Sequence, residues 1–150
     1  MLILKVLGLL TIFTVSCVLG FLKSSALNKR AGKLLDFLKG MDFLGERIKM
    51  GASEITELLK ISFKEELITY EESGFFVNND YLKTEDIEPI NEFLAKLGMG
   101  DTNSEYERIK AYKAIIELQH KAAESDCLNL CKLYKTLGVL TGVFICIFLL

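Results

Sequence analysis

Apolar residues concentrate at the two ends of the chain, and polar residues fill the part between them. Val6–Leu22 is a run of 17 residues without a charge, and no charged side chain follows Lys135. A membrane helix needs about 20 apolar residues to cross a hydrocarbon core of about 30 Å. The pattern therefore predicts membrane helices at residues 1–22 and 133–150 around a soluble domain at residues 23–132.

An amphipathic helix is predicted directly after the first apolar run. Its apolar stripe recurs at helical spacings of three and four residues and consists of Leu34, Leu38, Met41, Leu44 and Ile48, widened by Phe37. No proline separates this stripe from the first run, so the two are predicted to form one long helix with a flexible point at Gly32. A further helix is predicted after Gly51, with Ser53 as its N-cap.

The middle of the soluble domain is predicted to be a short helix and a loop, followed by another helix. The helix and loop are placed between Phe63 and Tyr81, where Phe75–Val77 is the one stretch that could instead be extended. In the following helix, Pro89 fits the first turn if Asp86 is the N-cap, but removes a helical hydrogen bond if the helix begins earlier. Gly98 then stands where a left-handed residue ends a helix.

The last helix is predicted to begin near residues 102–105 and to run without a break into the terminal apolar segment. Its apolar seam repeats every seven residues, as in a coiled coil, at Ile109, Ile116, Ala123, Leu130 and Leu137. Gln119 and Asp126 weaken the companion row of positions. A helical hairpin within the domain is therefore predicted in preference to a long homodimeric coil. The whole chain is predicted to be all-α.

Basic residues flank both apolar runs on the side of the central domain. They are Lys23, Lys29, Arg30, Lys33 and Lys39 after the first run, and Lys132 and Lys135 before the second. The positive-inside rule then places the central domain in the cytoplasm and both termini outside. Cleavage near Cys17 or after Ala26 would reverse this topology. The alternative is an exported, membrane-tethered helical adaptor of the cell envelope.

The sequence contains few residues that could form a catalytic, metal-binding or nucleic-acid-binding site. The net charge is −2 and the domain lacks a basic stripe, which disfavours nucleic-acid binding, and no phosphate-binding glycine loop occurs. The single histidine, His120, shares one side of the last helix with Glu124, Cys127 and Cys131. Four groups on one straight helix cannot surround a tetrahedral ion. We therefore predict no metal site, cofactor, catalytic residue or small-molecule substrate, and the protein is predicted not to be an enzyme.

The second half of the chain carries a family resemblance. Leu94–Gly98 with Asp101, the long charged helix, and Leu133–Gly142 before the apolar end resemble stage III sporulation protein AB of endospore-forming Firmicutes. The resemblance implies a membrane subunit of the sporulation channel complex, in the outer forespore membrane of the mother cell, that supports forespore development after engulfment.

The same resemblance implies a fold and partners. The soluble domain is expected to be similar to the helical cytoplasmic domains of the platform proteins of type II secretion and type IV pilus machines. The expected partners are membrane lipid and other stage III channel proteins, notably the cytosolic ATPase stage III sporulation protein AA. A non-catalytic scaffold is the role that the resemblance favours.

Two sets of residues are candidates for contacts with partners. Residues 65–92 hold nine acidic residues against Lys83 alone, so Glu85, Glu88 and Glu92 are candidates for docking a basic partner, with a simple solvated face as the alternative. Gly138 and Gly142, four residues apart, allow close approach of another membrane helix. The nearest candidate is the first apolar run through Gly8, Ser16 or Gly20, and the alternative is that these glycines have no packing role.

Overall fold

The computed structural model describes residues 2–51, 55–71 and 74–149. In chain order its elements are α1 (Leu2–Lys49), α2 (Ile55–Ser62), β1 (Ile68–Glu71), β2 (Gly74–Val77), α3 (Thr84–Lys96) and α4 (Thr102–Leu149). The predicted all-α class is confirmed, and within the described residues one two-stranded hairpin departs from it. The predicted N-cap Ser53 lies outside the described residues.

The chain packs as two units. Unit 1 consists of Met1–Lys29 and Ala123–Leu150, and unit 2 consists of Arg30–Ala122. The two long helices each contribute one segment to each unit, since α1 continues from residue 29 to residue 30 and α4 continues from residue 122 to residue 123 without a break. The predicted continuity of the first apolar run with the amphipathic stripe is thereby confirmed.

Unit 2 is built around a cluster of aromatic rings. The ring of Phe37 on α1 stacks on Phe63 with centroids 4.7 Å apart, and meets Phe93 on α3 edge to face at 6.3 Å. Phe63 packs so closely on α1 that a Cβ at Gly40 would lie 2.4 Å from its ring. The whole predicted stripe of α1 is buried. The amphipathic pattern of α1 therefore marks the core of unit 2.

The prediction of a short helix and a loop between Phe63 and Tyr81 was wrong, because Ile68–Glu71 and Gly74–Val77 form the β1–β2 hairpin, and the alternative that Phe75–Val77 is extended is confirmed. The strands are antiparallel, with Ile68 opposite Val77 and Tyr70 opposite Phe75. β-branched and aromatic residues favour strands where they can pack on a half-buried surface, and here Leu67 and Val77 are buried. Tertiary packing therefore stabilises strands in this stretch.

The N-terminus of α3 decides between the two alternatives for Pro89, because the helix begins at Thr84, before Asp86. Lys83 is the N-cap, and Asp86 is the third helical residue, whose Oδ2 accepts a hydrogen bond from the backbone N–H of Lys83 at 3.0 Å. Pro89 therefore lies inside the helix, beyond the first turn. At the other end, Gly98 has a φ of +87°, as predicted for the residue that ends the helix.

Unit 1 pairs the apolar ends of α1 and α4. Each of these helices contains a stretch that is long and apolar enough to cross a membrane. Many of their large apolar side chains point outward, including Leu10, Leu19, Leu140 and Phe144. Exposed large apolar surface of this extent is unfavourable in water, and a lipid environment removes the cost.

Candidate interaction surfaces

The acidic face of α3 carries the three carboxylates that the sequence singled out. Glu85, Glu88 and Glu92 are all exposed on this helix. Two of them already have partners. Glu85 lies 3.4 Å from both Arg30 Nη2 and Lys83 Nζ, and Glu92 lies 2.6 Å from Lys96 Nζ. Glu88 is therefore the member of this face best placed to meet a basic partner.

The Glu92–Lys96 pair shifts the protonation of both groups. The Lys96 ammonium, hydrogen-bonded to the carboxylate, lowers the pKa of Glu92, and the same bond raises the pKa of Lys96. Both charges therefore persist across the physiological pH range. Because the pair is fully exposed, it is screened by salt and contributes little to stability.

A buried ion pair anchors α3 to α1. The guanidinium of Arg30 binds the carboxylate of Asp86 through two bonds, Nε to Oδ2 at 2.7 Å and Nη2 to Oδ1 at 2.8 Å. Both residues are almost completely buried. Such bidentate geometry is the strong form of a charged hydrogen bond. Sequence reasoning missed this pair, because it assigned Arg30 to the basic flank of the membrane and Asp86 to a helix cap.

A second buried carboxylate, that of Glu105, makes hydrogen bonds that stabilise the connection between α3 and α4. Glu105 is only 2% exposed, and its Oε1 accepts hydrogen bonds from the backbone N–H of Gly100 at 2.9 Å and from Arg108 Nη1 at 2.6 Å. Arg108 also donates to the backbone carbonyl of Lys96 at 2.5 Å. The spacing of Glu105 and Arg108, three residues apart on a helix, was the available signal for this pair.

Gly138 and Gly142 lie where α4 meets α1 in unit 1. A Cβ at Gly138 would stand 3.0 Å from the carbonyl oxygen of Ser16 and 3.2 Å from Cα of Gly20. A Cβ at Gly142 would stand 2.8 Å from the ring of Phe13. In addition, the hydroxyl of Ser16 donates to the carbonyl of Gly138 at 2.8 Å. Among the described residues, nothing beyond its own stretch of α1 lies within 4 Å of the Cβ position of Gly8, so the first run makes this contact through Ser16 and Gly20. A role of these contacts in assembly stays a prediction.

Two of the three cysteines of α4, Cys127 and Cys131, lie in contact within unit 1. The sulfur atoms of Cys127 and Cys131 are 3.1 Å apart, and Cys131 Sγ donates to the carbonyl of Ser24 at 3.3 Å. The hydrogen bond with Cys131 raises the pKa of the Cys127 thiol, which favours its protonated, unreactive form. Within the described residues, no three histidine, cysteine or acidic side chains gather as a metal site.

A groove in unit 2, which the sequence did not indicate, runs beside β1. It measures about 400 Å³ and is lined by Leu59 and Lys60 of α2, by Phe63 and Glu65, by the β1 residues 68–70 and by Phe75 of β2. The ring of Tyr70 is 62% exposed at its rim. Lys60 Nζ lies 5.7 Å from the centroid of that ring, within the range of a cation–π contact.

Comparison with known proteins identifies one family. Residues 70–150, which are 81 of the 150 residues, match the family model described as stage III sporulation protein AB. The matched part includes the end of the hairpin, α3 and all of α4. No curated protein and no solved structure matches the chain.

Proposed function

Since the chain belongs to the stage III sporulation protein AB family, we propose that it is a non-catalytic membrane scaffold of the sporulation channel complex. The family places it at stage III of sporulation. In this proposal the protein resides in the outer forespore membrane on the mother-cell side. There it supports forespore development after engulfment by holding other stage III channel proteins together.

The family match carries this proposal, and two features of the structure support it. Helices α1 and α4 both contain stretches apolar enough to cross a membrane, which suits a membrane-held subunit. The charged side chains with strong contacts in unit 2, such as Arg30 with Asp86, are joined to one another in packing roles. In this proposal the protein acts through its surface.

We further propose that the acidic face of α3 docks a basic partner, of which the cytosolic ATPase stage III sporulation protein AA is the leading candidate. Glu88 and Glu92 are exposed on one side of α3, and complementary charge speeds association. Glu85 has a more structural role, because it lies beside the buried Arg30. The partner-binding set is therefore centred on Glu88 and Glu92.

Capture of this ATPase by the purified full-length chain tests the proposal. The variant Glu88→Lys/Glu92→Lys reverses two exposed charges and leaves the Arg30–Asp86 pair intact. We expect it to capture at least about tenfold less ATPase than the wild type at low salt, a loss of about 1.4 kcal/mol. The difference should shrink at high salt, where the wild type also binds weakly.

The matched control is Glu107→Lys/Glu124→Lys, which changes the net charge by the same amount at exposed positions of α4. It should bind like the wild type. Equal capture by all three proteins would show that the α3 face is only solvated. Normal spore formation in a strain that lacks the protein would contradict the proposed function as a whole.

A further inference from the structure

A cleft in unit 1 brings two cysteine side chains together, and we call it the thiol cleft. It measures about 310 Å³, and α4 lines it with Cys127, Cys131 and Lys135. From α1 it is lined by Phe21, Ser24, Ser25 and Asn28. Both thiols are half-buried rather than enclosed. A small ion in solution can therefore reach the two sulfur atoms.

The two sulfur atoms cannot form a disulfide while α4 stays helical. Side chains four residues apart on a helix have Cβ atoms about 5–6 Å apart, whereas a disulfide needs about 3.5–4.5 Å. The sulfur atoms of Cys127 and Cys131 nevertheless approach to 3.1 Å. A single atom that binds both sulfurs can therefore bridge the pair without breaking the helix.

The cleft supplies two strong metal ligands. Within the described residues, no third histidine, cysteine or acidic side chain joins the pair. The nearby oxygen atoms, Asn28 Oδ1 at 3.8 Å from Cys127 Sγ and the Ser24 carbonyl at 3.3 Å from Cys131 Sγ, belong to neutral groups. Zinc takes four ligands in structural sites and would lack two of them here. Copper(I) is a soft ion that prefers thiolate ligands, and two of them suffice for it.

We propose that the thiol cleft binds one copper(I) ion through the sulfur atoms of Cys127 and Cys131. Binding forms two copper–sulfur bonds and releases both thiol protons to water, and no oxidation state changes. The sequence argument against a metal site concerned four ligands from one helix around a tetrahedral ion. A two-coordinate ion needs only two ligands, and side chains four residues apart share one face of a helix.

Charge in the thiol cleft suits this ion. Two thiolates with one copper(I) ion have a single negative charge in total, and Lys135 supplies one positive charge in the same cleft. The Lys135 ammonium lies 5.5 Å from the centroid of the Phe21 ring, which also lines the cleft. The hydrogen bond with Cys131 raises the pKa of Cys127, and the positive charge of Lys135 acts in the opposite direction. Lys135 therefore favours the thiolate that the ion requires.

Competition with a coloured copper(I) chelator tests the inference. The probe is copper(I) held by bicinchoninate, added without oxygen to the reduced full-length protein in detergent micelles. The wild type should withdraw an equimolar amount of copper, and the loss of the chelator's colour measures the affinity. Cys127→Ser and Cys131→Ser should each weaken binding at least about hundredfold, or about 2.8 kcal/mol, because either variant leaves one thiolate.

The chain offers matched controls for both kinds of variant. Cys17→Ser and Cys146→Ser each remove another free and similarly exposed thiol of unit 1, and they should bind copper like the wild type. Lys135→Met should weaken binding about threefold at low salt, as expected for an exposed charge. Lys132→Met removes an exposed charge of α4 that does not line the cleft, and it should have no effect.

A second probe guards against misfolding of the serine variants, because it tests the thiol pair in the wild type without copper. Phenylarsine oxide condenses with two adjacent thiols, forming two arsenic–sulfur bonds and releasing one water molecule. Mass spectrometry should locate the adduct on the peptide that contains Cys127 and Cys131. Helical circular dichroism of the serine variants should match that of the wild type.

Three outcomes would overturn the inference. Equal copper affinity of the wild type and both serine variants would place the ion elsewhere, and zinc bound more tightly than copper(I) would contradict a two-coordinate site. The absence of an arsenic adduct would show that the two thiols cannot bind one atom together. The inference goes beyond the proposed scaffold function. Copper binding needs neither sporulation nor the ATPase, so the two proposals can fail separately.

Discussion

Pro89 leaves a carbonyl group of α3 without its helical donor, and a distant side chain replaces that donor. A proline has no N–H, so residue 89 cannot bond the carbonyl four residues earlier, at Glu85. That carbonyl accepts a hydrogen bond from Nε2 of Gln119 on α4. Gln119 had been noted as a weak position in the α4 seam, but within unit 2 it compensates for the proline.

The first prediction concerns this compensation. Gln119→Leu should lower the free energy of unfolding by about 1 kcal/mol, because the Glu85 carbonyl loses its donor. In a Pro89→Ala background the same change should cost clearly less, since the alanine supplies the helical N–H. A double-mutant cycle by denaturant unfolding in detergent measures the coupling. Additive costs would contradict the assigned hydrogen bond.

Arg30 and Asp86 illustrate how strongly burial changes the value of an ion pair. Their charges are out of water, whereas Asp36 forms its pairs with Lys39 and Lys64 on the surface. Removing one partner of a buried pair leaves an uncompensated charge, while a surface pair contributes little. The carboxylate of Asp86 therefore contributes far more to the free energy of unfolding than the carboxylate of Asp36.

The second prediction follows from this difference. Asp86→Ala should reduce the free energy of unfolding by about 3 kcal/mol or more, because the Arg30 guanidinium stays buried without a counter-charge. The apolar double variant Arg30→Met/Asp86→Leu should recover part of that loss. The control Asp36→Ala should cost less than about 1 kcal/mol. Similar losses for Asp86→Ala and Asp36→Ala would refute the buried-pair account.

At the scale of elements, α1 and α4 approach each other closely in unit 1 because small residues face one another. Gly20 and Gly138 would each meet the Cα of the other, at 3.2 Å, if they carried a Cβ. Helices in lipid associate through such close backbone contact and interhelical hydrogen bonds. The hydrogen bond from Ser16 to the carbonyl of Gly138 fits the same mode of packing.

The third prediction tests this contact. Gly138→Leu and Gly142→Leu should each destabilise the helix pair by about 1–3 kcal/mol through overpacking, and should reduce spore counts if the pair is needed for assembly. Gly8→Leu is the matched control, since it adds the same side chain to a glycine with open space around it. Thermal unfolding in detergent and sporulation assays measure the two effects. Equal behaviour of all three variants would rule out a packing role.

At the scale of the whole molecule, membrane topology decides which partners unit 2 can meet. Basic residues adjoin both apolar runs on the side of unit 2, and the positive-inside rule predicts that a unit flanked in this way lies in the cytoplasm. An ATPase can reach the acidic face of α3 only in that arrangement. An exported adaptor would present the same face to the outside.

The fourth prediction separates these topologies. A fluorescent protein that folds in the cytoplasm, inserted into the loop at residues 98–101, should be active, and alkaline phosphatase inserted there should be inactive. The loop is exposed apart from its contacts at Gly98 and Gly100, so it tolerates insertion better than a helix. An active phosphatase, or a mature N-terminus at Cys17 or Leu27, would favour the exported adaptor.

Features of the sequence that depend on neighbouring residues predicted the structure well. The apolar runs, the stripe of α1, the start of α4 and the left-handed Gly98 all follow from helical periodicity or from the backbone freedom of one residue. The family match rests likewise on local patterns in residues 70–150. Such features could be recognised before the tertiary structure was known.

Tertiary structure alone decided the features that depend on residues far apart in the chain. Arg30 and Asp86 are 56 residues apart, and nothing near either one indicates that they will be buried together. The hairpin depends on packing against α3, because short isolated hairpins are barely stable in water. Burial and pairing arise from contacts between residues far apart in the chain. Local periodicity does not indicate which distant residue will make such a contact.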